Sequence, residues 1–443
     1  MKRVSNTLCL ILIIVMAFSG LVEAKEPVKL KVWMRATGTE NYLTLAAKRF
    51  NASQKDVVVD VQLQGENYGN ALKMALAVND APDLFESNTA AGTSTVAQYA
   101  ANKIIVPVDD IAKKLKANLD PGIFKCNDIV YQNKIYSIPA VKYFFQLVYN
   151  KDLFKKAGLN PNNPPKTFEE VREDAKKITA AGKGDFYGFG MGLGIGNYWW
   201  RTIDMMRVAA GKSGVYGYDY RTGRFDFSGH KKYLDIFLGM KKDGSFYPGE
   251  TTLGIEQLRS KFGEGKIGMY FDGSWTTALF GVILKTNFDW GYADIPVLKG
   301  ESFKNGYAYY QEEMVINAAS KNVTAAKRFY QFLAANADAN YDFNIGPITY
   351  KSNIEPNPPQ NKALFKYLQA NESKYIPLRV EPHTSITLMG PDRDRAITEE
   401  FIKNYSNDKG DFDKVITELN KRYNEALEKA FADGVLKKKD IKK

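Results

Sequence analysis

Leu30-Lys31-Val32-Trp33-Met34 alternates along the chain with the period of a strand, and the residues that follow decide what kind of sheet it enters. Leu43, Ala47 and Phe50 recur at helical spacing, and a second strand reads from Val57 to Leu63. Ala71, Met74, Ala75 and Val78 form another helical stripe before Asp83-Leu84-Phe85 returns to an extended run. Strand, helix, strand, helix, strand requires parallel crossovers, so the chain is α/β. In such a sheet ligands gather beyond the carboxyl ends of the strands, here Met34 to Glu40 and Glu86 to Ala90.

Outward from this unit, a second one begins after Ile135-Tyr136-Ser137-Ile138-Pro139. The strand Gln146-Leu147-Val148-Tyr149-Asn150 leads into Lys151-Asp152-Leu153-Phe154, and Gly158 stops that helix. Pro164, Pro165 and Thr167 start the next, with Glu170 completing a capping box on Thr167. Glycines 188, 190, 192, 194 and 196 fall on one face of an extended segment, where a backbone or a ligand can approach closely. A strand is expected over Glu312 to Ala318 and a helix from about Asn322. The Pro-Asn-Pro-Pro stretch at 356–359 reads as a loop or linker. A last amphipathic helix runs from Phe412 through Val415, Leu419, Tyr423, Ala426 and Ala430. Trp33 and Trp290 occupy strand positions and are expected in the core.

The N-terminus sets the compartment. Lys2 and Arg3 precede an apolar run from Leu8 to Phe18, and Val22 and Ala24 place small residues at a cleavage site. That pattern is a secretory leader, too short to span a bilayer, cut after Ala24. No cysteine follows the cut, so the mature protein is expected to be free of a lipid anchor and periplasmic. The rest of the 443-residue chain exceeds what one core usually serves, and two lobes are expected. Cys9 leaves with the leader and Cys126 then has no partner, so disulfides do not hold the fold. The net charge of +11 is a dispersed lysine background, ending in a lysine-rich tail. Without aromatics interleaved along one basic segment, it does not point to nucleic acid.

Common enzyme chemistry leaves no mark. His230 and His383 are the only histidines, too few for a multi-histidine metal site. His230 follows Ser228-Gly229 and is expected on the surface. There is no nucleophile elbow, dinucleotide fingerprint or P-loop. Asp338, Asn340, Asp342 and Asn344 alternate like early calcium-loop ligands, but Phe343 and Thr349 stand where glycine and glutamate are required. Glu312-Glu313 and Asp392 with Asp394 could suggest a glycosidase pair, yet adjacent strand residues point to opposite faces.

Asn197-Tyr198-Trp199-Trp200 and Asp272-Gly273-Ser274-Trp275 place three of the five tryptophans at polar or glycine-rich turns. A flat ring there offers a platform for the C–H face of a sugar, and an exported chain with such platforms suggests carbohydrate capture. A tryptophan at such a turn can also plug the edge of a lobe, and only one of Trp199 and Trp200 need face a cleft.

Five ordered stretches carry a family likeness: Ala81-Pro82-Asp83-Leu84-Phe85 with Ile105-Val106-Pro107-Val108-Asp109; Tyr136-Ser137-Ile138-Pro139 through Phe154 with Pro164 to Glu170; Phe262-Gly263-Glu264-Gly265-Lys266 through Trp275; Tyr292-Ala293-Asp294-Ile295-Pro296; and Ile316 to Lys321. In these the chain resembles the extracellular solute-binding proteins of family 1, the sugar-binding components of ABC importers related to maltodextrin-binding proteins.

The resemblance implies a two-lobed periplasmic-binding-protein fold with a multi-strand hinge and a ligand cleft between lobes. One lobe would be 27–141 plus 297–349, the other 145–290 plus 355–443. It implies a monomer that needs no cofactor and delivers an oligosaccharide to membrane permease subunits. Contact residues carried over are Glu40, Ser87, Asn88, Tyr143, Gly306 and Tyr307, beside Trp199, Trp200 and Trp275. Arg35, Lys142, Arg201 and Arg379 depart from the carboxylates usual in neutral-sugar sites. A guanidinium pairs bidentately with a carboxylate or sulfate, so an acidic, uronate-containing oligosaccharide derived from a glycosaminoglycan or pectin is expected. The alternatives are a secreted glycoside hydrolase or polysaccharide lyase, or a binder of a neutral sugar or non-sugar solute.

Overall fold

The computed structural model describes residues 26–36, 42–65, 67–87, 93–125, 129–139, 141–196, 198–311, 313–336, 366–367, 370–377, 382 and 386–438. The leader, Glu40, Asn88, Cys126, Asn197, Glu312, the 338–344 alternation, the 356–359 loop, Arg379, His383 and the tail from 439 lie outside them.

The first unit follows its hydrophobic period. It runs β1 (Val28–Arg35), α1 (Tyr42–Ser53), β2 (Val57–Gln64), α2 (Tyr68–Ala77) and β3 (Leu84–Ser87). β1 is central, parallel to β2 from Val28↔Val57 to Arg35↔Gln64 and parallel to β3 at Val32↔Leu84. Leu30, Val32 and Met34 share an apolar cluster with Leu43, Ala47 and Phe50. Each of these side chains larger than alanine contributes roughly 1.5–3 kcal/mol. Trp33 alternates to the opposite face and is only half-buried, its indole N–H donating to Gln62 Oε1 at 2.8 Å.

Downstream, β4 (Val141–Asn150) precedes α3 (Phe168–Gly182), β5 (Tyr187–Phe189), α4 (His230–Lys242), α5 (Ile255–Gly263), β6 (Ile267–Gly273) and β7 (Trp290–Ala293). There follow β8 (Gly306–Gln311), β9 (Glu313–Ile316), α6 (Val323–Ala335), β10 (Tyr375–Pro377), α7 (Arg393–Asn407) and α8 (Phe412–Ala432). The second sheet has the order β10-β8-β4-β6-β5, with β7 also on β4. β9 instead joins the first sheet, antiparallel to β3. The successive strands β8 and β9 thus belong to different sheets.

β4 begins five residues earlier than its apolar run suggested, and the added length, about 33 Å in all, lets it serve two sets of partners. Val141–Phe144 pairs with β8, whereas Phe145–Tyr149 pairs with β6 and Leu147–Asn150 with β7. The capping box forms as expected: Thr167 Oγ1 accepts from the Glu170 amide and the Glu170 carboxylate from the Thr167 amide. At Gly188 a Cβ would lie 1.9 Å from the Ala175 carbonyl oxygen, and at Gly194 one would lie 2.4 Å from that of Thr252. At these two positions the glycines admit neighbouring backbone. Trp290 is in the core. No described helix is long and apolar enough to cross a membrane.

Two expectations fail locally. The Trp199-Trp200 stretch is helical: residues Trp200–Asp204 form a π turn that continues into the helix Met205–Ala209. A π turn adds a residue to the ring of each hydrogen bond, so the apolar positions leave the 3.6-residue period that would have revealed it. His230 is at the first turn of α4 and is 0% exposed. Its Nε2 lies 3.2 Å from Asp204 Oδ1, so a buried carboxylate has drawn into the core a residue expected at the surface.

Candidate functional site

β4 and β8 build the floor. Tyr143, Phe145, Leu147 and Tyr149 alternate onto one face of β4, and Tyr309 lies opposite Tyr143 on β8. The Phe145 ring is the hub: its centroid is 5.0 Å from Trp200, 5.0 Å from Trp275 and 5.8 Å from Tyr307, which stacks on it at 18°. Trp275 meets Tyr143 edge-on at 5.3 Å. Trp200 arrives on the π turn. Trp275 caps the short helix Thr276–Ala278 that follows β6, whose end is fixed by Ser274 bonding the Phe144 backbone in both directions.

Two arginines and one aspartate complete the cluster. Arg259 of α5 grips Asp272 with Nε at 2.7 Å and Nη2 at 3.0 Å. Asp272 is fully buried, and although burial works against the charge of Arg259, this carboxylate raises its pKa above the usual guanidinium value. Arg201 stops 4.0 Å short of the same carboxylate, with its guanidinium carbon 4.8 Å from the Trp200 ring centre and 6.0 Å from that of Trp275. Burial, with Arg259 adding repulsion and Asp272 opposing, pushes Arg201 below its usual value. Among the described residues, Arg201 Nε and Nη1, Trp200 Nε1 and Trp275 Nε1 are buried N–H donors with no acceptor. Buried donors are normally satisfied, each costing roughly 1–3 kcal/mol otherwise. Four such donors lie around one aromatic floor.

The other expected residues divide. Trp199 is 0% exposed, packed on Phe237 and Phe401 with its indole N–H donating to Thr398 Oγ1 at 2.9 Å; its next-door neighbour alone reaches the floor. This corrects its assignment as a platform. Tyr143 and Tyr307 belong to the floor but are largely buried. Gly306 serves packing, since a Cβ there would lie 2.3 Å from the Tyr375 ring. Ser87 is buried, with its hydroxyl donating to the Ser94 carbonyl at 2.9 Å. Arg35, at the end of β1, donates its backbone N–H to Glu86, while its Nε is buried without an acceptor. Lys142 is consumed by ion pairs with Asp120 and Glu372. Phe145, Asp272 and Arg259 were not singled out as contacts; the period-two run from Tyr143 to Tyr149 was the available signal for the first.

A cavity of about 730 Å³ lies elsewhere, along β7 and Pro164 to Thr167. In its lining Asp294 accepts from Tyr367, Tyr375 and Lys374 and the Tyr149 hydroxyl donates to the Pro161 carbonyl, while among the described residues Glu301 Oε2 is buried without a donor. The aromatic cluster gathers four unmatched donors and is the candidate site. Among the described residues no group of three His, Cys, Asp or Glu side chains could hold a metal.

Residues 36–340 match the family described as bacterial extracellular solute-binding protein. The sn-glycerol-3-phosphate-binding periplasmic protein UgpB of Rhizobium meliloti (strain 1021) is 28% identical over 304 residues, 65% of this chain and 67% of its own length. Among solved structures, the binding protein msme of Bacillus subtilis, in an open conformation, is similar with a TM-score of 0.69 at 16% identity, over 92% of this chain and 99% of that one. A sugar transporter of Bacillus licheniformis in complex with stachyose gives 0.64 at 18% identity, over 90% of this chain and 100% of that one. These likenesses identify the architecture as the expected two-lobed α/β fold.

Proposed function

Because this chain belongs to the bacterial extracellular solute-binding proteins, we propose that it captures an oligosaccharide outside the cytoplasmic membrane and delivers it to the permease of an ABC importer, as a monomer and without chemical turnover. The lobes are assigned to 27–141 with 297–349 and to 145–290 with 355–443, and the ligand is held where they meet. Closure around it creates the surface that the permease reads.

The observation that carries this reading is the convergence of four unmatched N–H donors on the Phe145 floor. Trp200 and Trp275 stack on pyranose faces, and the donors take ligand oxygens. Within the cluster Arg259 is matched by Asp272 and by Glu256 at 2.8 Å, whereas Arg201 has no carboxylate within hydrogen-bond reach among the described residues. A ligand carboxylate would pair with Arg201, which favours a uronate-containing oligosaccharide over a neutral one. The name of the R. meliloti relative, a binder of a phosphate monoester, is compatible with an anion at this place.

Titration calorimetry with neutral and uronate di- and trisaccharides, and with sn-glycerol 3-phosphate, tests it. We expect uronate binding near micromolar, about −8 kcal/mol, with no product released. Tight binding by neutral sugars alone would remove the acidic specificity, binding by glycerol 3-phosphate alone would replace the sugar, and hydrolysis or elimination products would transfer the protein to the enzymes.

A further inference from the structure

We infer that Arg393, at the start of α7, is the positioning residue of this site: one guanidinium clamps both ends of the turn that presents Trp200 and Arg201. The inference rests on reading those two residues as ligand contacts. A π turn is rare and persists where its surroundings over-determine it. Here the restraint comes from a remote part of the chain. At the leading end, the Trp199 amide donates to Asp394 Oδ1 at 3.1 Å, and Arg393 Nη2 donates to Asp394 Oδ2 at 2.6 Å. At the trailing end, Asp204 accepts from Arg393 Nη1, and its Oδ2 also accepts from the Tyr216 amide at 2.7 Å.

A third contact runs through side chains. The Arg393 guanidinium carbon is 5.2 Å from the Tyr216 ring centre, and that ring is 6.4 Å from Trp200. Tyr216 has φ +57°, a left-handed conformation that a bulky residue adopts only under restraint. Arg393 is 1% exposed, Asp204 is fully buried, and His230 fills the remaining side of Asp204. A buried ion network is a poor means of gaining stability, because well-packed apolar side chains often do as well or better. What it supplies is direction: Asp394 fixes the amide at the leading end of the ligand-bearing turn, and Asp204 ties its trailing end to the Tyr216 amide.

The test compares Arg393→Met, Arg393→Lys and Asp394→Asn with the wild type in the full chain, reading two quantities. Amide hydrogen exchange at Trp199 and Tyr216 reports the clamp without ligand, and tryptophan fluorescence titration with a uronate trisaccharide reports the site. Arg393→Met should speed exchange at both amides about tenfold or more and weaken binding by about the same factor, with Arg393→Lys recovering part of each. Arg201→Met, the control, should weaken binding and leave both amides protected. Unchanged exchange at both amides, faster exchange with undiminished affinity, or acceleration spread evenly over the chain would each overturn the inference. Should Arg393→Met fail to fold, Asp394→Asn decides by the same readouts. A wild type that binds no saccharide would sink the ligand reading instead, leaving exchange to judge the clamp.

Discussion

Arg201 and Arg393 are both guanidinium groups withdrawn from water beside aspartates and aromatic rings; Arg201 belongs to the π turn, and Arg393 contacts that turn from α7. Arg393 has one carboxylate on each terminal nitrogen, and its pKa, despite burial, is raised by Asp204 and Asp394. Arg201 has no carboxylate within hydrogen-bond reach, two unmatched donors, and a pKa lowered chiefly by burial. The difference separates a buried charge that the fold itself matches from one that, on the proposed reading, a ligand would match.

The sharpest break in that comparison is Asp204→Ala, which strands Arg393 and removes the acceptor for Tyr216. Chemical denaturation should show a loss of about 3–5 kcal/mol. Next, the adjacent tryptophans should separate: Trp199→Ala is expected to cost about 3–5 kcal/mol as a core truncation, whereas Trp200→Ala should cost about 1 kcal/mol and act mainly on sugar affinity. Equal melting temperatures for the two variants would refute the division.

Acid probes the scaffold side. Burial pushes His230 down to about 4 from an ordinary 6.5, with Asp204 opposing the shift. Between those values the unfolded chain binds a proton that the folded chain refuses, so stability falls as pH drops from 6.5 towards 4, by about 3 kcal/mol in all. Asp204 is desolvated, yet Arg393 and His230 hold it down at about 2, so its contribution is present above 3.8 and lost as pH falls towards 2. Melting temperature against pH should therefore slope less between 6.5 and 4 in His230→Gln than in wild type. The smallest stability effect is reserved for Arg201→Met: folding unchanged or improved by about 1 kcal/mol, while uronate affinity falls about 10–100-fold. A clear loss of stability in this variant would make Arg201 scaffold too.

What the sequence revealed follows from how local each signal is. The β1 to β3 crossovers, the Thr167 capping box and the long α8 are written in periods and offsets of a few residues, and they stand where expected. Glycine and polar neighbours set Trp200 and Trp275 apart in the sequence, and the structure brings both against Phe145. The partition between Trp199 and Trp200 was not legible, since it depends on Phe401 and Thr398 arriving from α7. His230 and Asp272 were obscure for the same reason. Their partners lie on separate elements, and a composition poor in histidine gives no hint that one of the two is locked inside.

β4 has one more consequence. Because successive side chains of a strand face opposite ways, the floor depends on the parity of residue count between the β8-paired and β6-paired halves of that strand. Tyr143 and Phe145 face the site, and Phe144 and Gln146 face Tyr375 on the reverse. Inserting one residue at this junction would turn one half over relative to the other and split the floor, whereas inserting two would restore the faces while lengthening the span. Homologous sites could therefore diverge in reach by pairs of residues far more readily than by single ones.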